Sequence, residues 1–231
     1  MRDRAVLLPC LHPHGAATSC SFDLINASEE DRPLILGFLL KCLIPDGTEP
    51  ILILYGEQGS GKSAAAESLK RLIDPAKPNM LKTVSDVRTI GIFASQNRVI
   101  LYDNLSHLTP EASDLLCSMA TGGGHAERTL CTDNELTVFE FKRPQILTGI
   151  DEIATRGDLL DRALTVELER IAGGQYIKES EYRERFDAMH ASLLGASLDA
   201  VCSALSNKAA TPQPIGTRMV DFAHLARSAE T

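Results

Sequence analysis

The chain has 231 residues, enough for one α/β domain with a small appendage but too few for two large independent domains. Its net charge is −8, because 31 acidic side chains outnumber 23 Lys and Arg, and this excludes a protein that coats duplex DNA through bulk charge. The sequence indicates neither a signal peptide nor an apolar run near the ~20 residues of a membrane span, so we expect a cytoplasmic protein with no membrane partner.

The first 27 residues are turn-rich and irregular, which predicts a lead-in rather than part of a core. Four residues of metal-ligand type occur there, but their spacing matches no standard zinc pattern, so zinc is disfavoured and the cysteines are interpreted as reduced thiols: the four are Cys10, His12, His14 and Cys20. Apolar residues then recur at helical spacing from Leu34 to Leu43, and Ser28 is a candidate N-cap. We expect this helix to pack beside the first core strand.

A phosphate-binding loop is the strongest local signal. Residues 56–63 read GEQGSGKS and fit the pattern G-x-x-x-x-G-K-[ST], between an apolar strand at 51–55 and a helix-forming run at 64–72. Glycines let the backbone N–H groups turn inward toward phosphates. We expect Lys62 to bind the β- and γ-phosphates of ATP and Ser63 to hold Mg²⁺. The expected ATP-binding residues are Gly56, Glu57, Gln58, Gly59, Ser60, Gly61, Lys62, Ser63 and Ala64.

A second metal ligand is expected at Asp103. After a predicted helix at 84–94, with Ser85 as its candidate cap, residues 98–103 form an apolar strand that ends in this carboxylate. P-loop NTPases keep the aspartate of the Mg²⁺ shell at the end of such a strand. Asp103 is therefore predicted to bind the metal and to support hydrolysis.

The residue after this aspartate is Asn104, where many hydrolytic P-loop proteins have an acid. An amide can orient a water molecule but is a poor base. Turnover is therefore expected to be slow, or to be assisted by Asp151 or Glu152.

Further elements follow in order. A helix at 109–119 ends at a glycine-rich turn, and alternating segments at 128–132 and 136–141 predict a β-hairpin. Buried strands are expected at 145–150 and 163–168, and Thr148 is predicted to offer its hydroxyl to the γ-phosphate, the alternative being a strand-end threonine bonded to backbone. From residue 179 the pattern is helical, with Gly195 as punctuation.

Two arginines, Arg156 and Arg162, stand just before the last predicted strand. In ring-forming ATPases an arginine at this place enters the neighbouring subunit's site and stabilises charge on the γ-phosphate. Arg162 is the better candidate, because it abuts the strand. The alternative is an ion pair with Asp158 or Asp161.

In their order, the P-loop, the segments 102–104 and 121–128, the strand ending at 147–150 and the segment 158–162 resemble superfamily 3 helicases and related primase-helicase ATPases of phages, plasmids and integrated elements. The resemblance implies an α/β, AAA+-like P-loop NTPase: a three-layer fold with a central parallel sheet, an inserted β-hairpin and a C-terminal helical lid. We expect a lead-in at 1–27, an ATPase core at 28–172 and a lid at 173–231.

The same resemblance implies functional residues outside the P-loop. The hairpin of such helicases grips single-stranded DNA, which makes Arg128, Lys142 and Arg143 candidate DNA contacts, the alternative being solvated surface charges. Arg218 lies where the lid carries an arginine that senses the γ-phosphate. Thr148 departs from the family's usual Asn. No primase domain precedes the ATPase, which implies either a separate primase or replication initiator as a partner or a truncated gene.

These observations predict a Mg²⁺-dependent ATPase that forms a homo-oligomeric ring and translocates single-stranded DNA in mobile-element replication. The alternative is an ATP-gated assembly or loader module that hydrolyses poorly. Asn104 favours the second function, and the hairpin and Arg162 favour the first. A small-molecule kinase is disfavoured, because no convincing acceptor-activating base follows the P-loop.

Overall fold

The structure is a computed structural model that describes residues 24–84, 86–128, 136–151, 153–174, 176–217 and 219–229, with residues 124–128 and 136–140 described by their backbone. Several predicted features lie outside the described residues: the four zinc-type ligands, Ser85, Glu152 and Arg218.

The described elements follow the predicted alternation of strands and helices. The helices are α1 (Arg32–Leu43), α2 (Lys62–Ile73), α3 (Val87–Gln96), α4 (Pro110–Thr121), α5 (Gly157–Leu160), α6 (Glu179–Asn207) and α7 (Val220–Ser228). The strands are β1 (Ile51–Tyr55), β2 (Ile100–Leu105), β3 (Gly124–Arg128), β4 (Leu136–Glu140), β5 (Gln145–Gly149) and β6 (Ala163–Glu167).

Four strands form one parallel sheet in the order β2-β5-β1-β6. Successive side chains of β1 enter different cores: Ile51 and Ile53 join one apolar cluster, and Leu52 and Leu54 join the other. This alternation is what a strand buried on both faces requires, because neighbouring side chains point to opposite sides of the sheet. Helices therefore cover both faces, and the predicted three-layer α/β fold is confirmed.

The two cores differ in the helices that build them. Helices α3, α4 and α5 cover one face, and α1 and α2 cover the other. The second core also takes in Phe186 and Leu193 of α6 and Phe222 of α7. The predicted lid thus shares a core with the predicted ATPase unit, and the boundary between residues 172 and 173 stays a prediction.

Helix α6 is longer and more apolar than the sequence patterns predicted. It runs for 29 residues through Gly195, where a break was expected. Its length and composition alone would permit a membrane span, but α6 packs on α1, α2 and α7.

The predicted hairpin is confirmed as an antiparallel pair, β3 with β4, inserted between α4 and β5. It begins at Gly124, earlier than the alternating segment suggested. Gly122, with φ 91°, ends α4 in the left-handed conformation and donates its N–H to the carbonyl of Ser118. The chain can therefore leave the helix directly into β3, while residues 129–135 lie outside the described part.

Candidate nucleotide site

The loop between β1 and α2 has the conformation that its glycines predict. Gly56, Gly59 and Gly61 all have positive φ, at 144°, 85° and 82°. A Cβ on Gly56 would stand 2.3 Å from the carbonyl oxygen of Leu168, so no side chain fits there. The loop can close around the end of β1 only because these positions are glycine.

Helix α2 starts in a way that suits an anion. Its N-cap is Gly61, and no described side chain accepts a hydrogen bond at that cap. The first N–H groups of a helix need acceptors, and the positive end of the helix dipole favours negative charge. The start of α2 therefore fits a phosphate group.

Lys62 points back into the loop. Its Nζ donates to the carbonyl oxygens of Gly56 (2.7 Å) and Glu57 (2.8 Å) and to Oγ of Ser60 (3.2 Å). Burial lowers the pKa of Lys62, and the negative charge of Asp103 offsets part of that effect. The ammonium is thus held among neutral acceptors, where a phosphate oxygen would be a stronger partner.

Asp103 is the centre of the site. Its Oδ1 accepts hydrogen bonds from the hydroxyls of Ser63 (2.7 Å) and Thr148 (2.8 Å), and its Oδ2 lies 3.1 Å from Nζ of Lys82. Burial raises the pKa of Asp103, but these hydrogen bonds and the charge of Lys82 together outweigh it, so the pKa lies below its ordinary value. The carboxylate is therefore charged at neutral pH, although the residue is only 6% exposed.

The strand order brings these groups together. Strand β5 lies between β1, which leads into the P-loop, and β2, which carries Asp103. All three strands are parallel, so their carboxyl ends meet at one edge. Thr148 of β5 consequently sits beside Asp103, close to the start of α2.

A β-bulge shapes the end of β2. Tyr102 pairs with Leu147 and Leu105 pairs with Gly149, so Asp103 and Asn104 together face the single residue Thr148. Asn104 has φ 60°, and its N–H donates to the hydroxyl of Thr148 at 2.8 Å. Asn and Asp both tolerate this left-handed conformation better than most residues, so the backbone disfavours a glutamate here but does not separate Asn from Asp.

Thr148 is buried between Asp103 and Asn104. The residue is 1% exposed, and its hydroxyl both donates to Asp103 and accepts from the backbone of Asn104. The alternative of a strand-end threonine bonded to backbone is therefore found here, with an added bond that orients Asp103. A direct contact with a γ-phosphate stays a prediction.

The sequence patterns missed Lys82. The preceding residue, Leu81, forms a one-residue parallel bridge with Tyr102, through Leu81 N to Leu101 O (2.8 Å) and Asp103 N to Leu81 O (3.0 Å). This bridge sets Lys82 beside Asp103. The segment before it is proline-rich and lacks periodicity, so no local signal could have identified this lysine.

Arg162 lies at the amino ends of the strands, opposite the carboxyl ends that carry the P-loop. It directly precedes β6, and its carbonyl accepts a hydrogen bond from the first residue of β1, Ile51 (3.0 Å). Five strand residues, about 17 Å, separate that edge from the P-loop. The guanidinium donates to the carbonyl oxygen of Asp158 (2.6 Å). Arg156 instead contacts the carboxylates of Asp114 (3.0 Å) and Asp158 (3.6 Å).

The three candidate DNA contacts have different surroundings. Arg128 ends β3, and its side chain lies outside the described part. The stem of Lys142 lies beside Gly122, at the base of the hairpin. Arg143 is half-buried, and its Nε donates to the carbonyls of Ala94 and Asn97 (both 2.9 Å), at the end of α3. These inward contacts hold its guanidinium against α3, and a DNA contact by Arg143 stays a prediction.

The chemistry of the edge fits ATP with Mg²⁺. Ser63 and Asp103 offer the hard oxygen ligands that Mg²⁺ prefers, and substrate phosphates commonly complete such a site. Among the described residues no group of three or more His, Cys, Asp or Glu could hold a metal by itself. Asp151 is exposed just after β5, near this edge.

Comparison with known proteins places this geometry in context. The family model described as "Actinomycete integrative conjugative element replication protein" matches residues 20–231, and no curated protein matches the chain. That family confirms the expected relationship to replication proteins of integrated elements.

Two solved structures of one protein support the fold. The apo structure of the NrS-1 C-terminal region is 14% identical, with a TM-score of 0.58 over 91% of this chain and 46% of that one. A second apo structure of the region, residues 305–718, is 12% identical, with a TM-score of 0.52 over 91% of this chain and 47% of that one. A JCV helicase structure with a bound acetamide compound is 12% identical, with a lower TM-score of 0.45 over 93% of this chain and 58% of that one. The chain spans about half the length of these proteins.

The hydroxyl of Thr148 generates a testable prediction. Thr148→Val should lower the free energy of unfolding by about 1–3 kcal/mol, because the buried Asp103 and the Asn104 N–H each lose a partner. The pKa of Asp103 should rise, since one hydrogen bond to its charged form is gone. The loss of stability should shrink as the pH falls through the acid range, where Asp103 takes a proton in both proteins.

Denaturant unfolding and an NMR titration of the Asp103 carboxyl measure both effects. Thr148→Ser keeps the hydroxyl and is the matched control. A valine variant with the parent's stability and the parent's Asp103 pKa would contradict the positioning role.

Proposed function

Because this chain belongs to the family of actinomycete integrative conjugative element replication proteins, we propose that it is a Mg²⁺-dependent ATPase that moves single-stranded DNA during replication of such an element. The observation that carries this proposal is the meeting of Lys62, Ser63 and Asp103 at the carboxyl edge of the sheet. The cytoplasm is the proposed location.

Each group at this edge has a proposed task. The P-loop N–H groups and Lys62 bind the phosphates, and Ser63 and Asp103 hold the metal. Bound Mg²⁺ neutralises charge that develops on the transferred phosphate. The Thr148 hydroxyl bonds to both Asp103 and the Asn104 N–H and so fixes their relative position. The exposed side chain of Asn104 orients the attacking water. The lid residue Arg218 is proposed to sense the γ-phosphate.

Arg162 is proposed to act in a neighbouring subunit. It stands about 17 Å from its own P-loop edge, beyond the reach of an arginine side chain to its own γ-phosphate. In a ring, the edge that carries Arg162 faces the P-loop edge of the next copy. Its contact with the carbonyl of Asp158 holds the guanidinium near the subunit surface. We therefore propose a homo-oligomer with composite sites.

The hairpin is the proposed DNA element. Strand β4 leads within a few residues into the start of β5, so the base of the hairpin lies at the edge opposite Asp103. A protein with net charge −8 needs cations gathered locally to hold a phosphate backbone. Arg128 and Lys142, repeated once per subunit, would supply them around a channel.

A second candidate function is an ATP-gated assembly or loader module. Asn104 favours it, because the left-handed backbone at this position suits an amide and the amide is a poor base. Such a module would bind ATP, hydrolyse it slowly and switch the binding of a partner protein.

Lys62→Ala should lose ATP binding without unfolding. The Lys62 ammonium contacts polar atoms of the loop and neutralises phosphate charge. Calorimetric titration with ATP, next to a thermal unfolding scan, measures both properties. If the folded variant binds ATP with the parent's affinity, the nucleotide site lies elsewhere.

Arg162→Ala should bind ATP but hydrolyse it at least ~10³-fold more slowly, the scale of a withdrawn arginine finger. Mixing this variant with Lys62→Ala should restore part of the turnover, because mixed rings contain some intact composite sites. Native mass spectrometry establishes that mixed assemblies form. Mixed assemblies without recovered turnover would assign Arg162 to its own subunit's fold.

Arg128→Ala should weaken single-stranded DNA binding and make the slope of log K against log[salt] shallower, because fewer counterions are released. Fluorescence anisotropy with a labelled oligonucleotide, in the presence of a non-hydrolysable ATP analogue, gives both quantities. Arg88→Ala, an exposed arginine on α3, is the control with the same charge change. Equal affinity and slope in parent and variant would exclude the hairpin assignment.

A further inference from the structure

Lys82 holds a defined place in the site although no motif marks it. The Leu81–Tyr102 bridge ties its backbone to β2, next to Asp103. Its side chain is 70% exposed, whereas the Asp103 side chain that it contacts is 9% exposed. The lysine therefore reaches a buried carboxylate from the solvent side, across the mouth of the site.

The three donors to Asp103 differ in how firmly they are held. Thr148 is buried and bonded to the Asn104 backbone as well. Ser63 is fixed on the first turn of α2. Lys82 alone among these three has a long flexible stem and lies mostly in solvent, at 70% exposure, so it can leave the carboxylate with little rearrangement. If a cation bound Oδ2, Lys82 would be the donor displaced.

A displaced ammonium needs a new anionic partner close to Asp103. Lys62 is held inside the loop by the carbonyl oxygens of Gly56 and Glu57. Lys82 reaches Asp103 from the solvent side, so a phosphate that extends from the loop toward solvent would meet its ammonium. Lysine suits this exchange, because its ammonium is a compact charge with three donors that does not require a fixed planar geometry.

We propose that Lys82 is a phosphate-contacting residue. Its ammonium leaves Asp103 and binds the terminal phosphate of a bound nucleoside triphosphate. This inference rests on the proposed function. In the structure the lysine neutralises Asp103; once a triphosphate and its metal are bound, the same charge neutralises the terminal phosphate. Lys82 thereby distinguishes a triphosphate from a diphosphate.

The test compares affinities for β,γ-imido-ATP and ADP, both with Mg²⁺, by calorimetric titration of the full chain. Lys82→Met should lose ~10-fold or more of the analogue affinity, the scale of a hydrogen bond to a charged group. Its ADP affinity should stay within about threefold, because the phosphate that Lys82 contacts is missing from ADP. Lys82→Arg should recover most of the difference, since it restores the charge.

Lys77→Met is the matched control, because Lys77 is exposed in the same segment and the charge change is identical. Equal losses for both nucleotides, or an unchanged analogue affinity, in a Lys82→Met protein with the parent's thermal midpoint would overturn the inference. A parent that binds neither nucleotide would overturn the proposed function itself. The two failures are therefore distinguishable.

Discussion

A charged carboxylate on an almost fully buried residue is the constraint on which this site depends. Burying an ion is costly unless its oxygens are hydrogen-bonded or paired, and Asp103 meets that requirement with donors from three separate parts of the chain: Ser63, Thr148 and Lys82. The same contacts that stabilise the charge also bring the P-loop helix, the central strand β5 and the segment before α3 to one point. That convergence supports the proposed site for a phosphate-bound cation, since the hydrogen bonds and Lys82 hold the pKa of Asp103 below its ordinary value.

The sheet topology makes this convergence possible, and a backbone irregularity refines it. Inserting β5 between β1 and β2 places a small polar residue between the P-loop and the aspartate. The bulge at Asp103 and Asn104 then lets one hydroxyl serve both residues. Because Asn104 is in the left-handed region, the backbone at this position favours glycine, Asn and Asp over longer or branched residues.

The parts that sequence could predict are those encoded locally. The P-loop is a contiguous pattern, the buried strands are apolar runs, and Asp103 follows directly after such a run, although β2 itself continues to Leu105. The parts that it missed depend on contacts between distant segments. Lys82 lies beside Asp103 because the Leu81–Tyr102 bridge holds its backbone there. Thr148 contacts Asp103 because β5 lies next to β2 in the sheet. Arg143 donates hydrogen bonds to carbonyls at the end of α3. A charge beside a hairpin looks the same in sequence whether it faces solvent or a helix end.

The central claim, that this edge binds and hydrolyses Mg·ATP in an assembly that engages DNA, is tested most directly with the unmodified protein. Steady-state phosphate release should be measured with and without single-stranded DNA, beside the native mass with a non-hydrolysable ATP analogue. The account predicts an ATP-dependent oligomer whose Mg²⁺-dependent turnover rises when DNA is added. A protein that stays monomeric with the analogue, and whose turnover is indifferent to both Mg²⁺ and DNA, would contradict it.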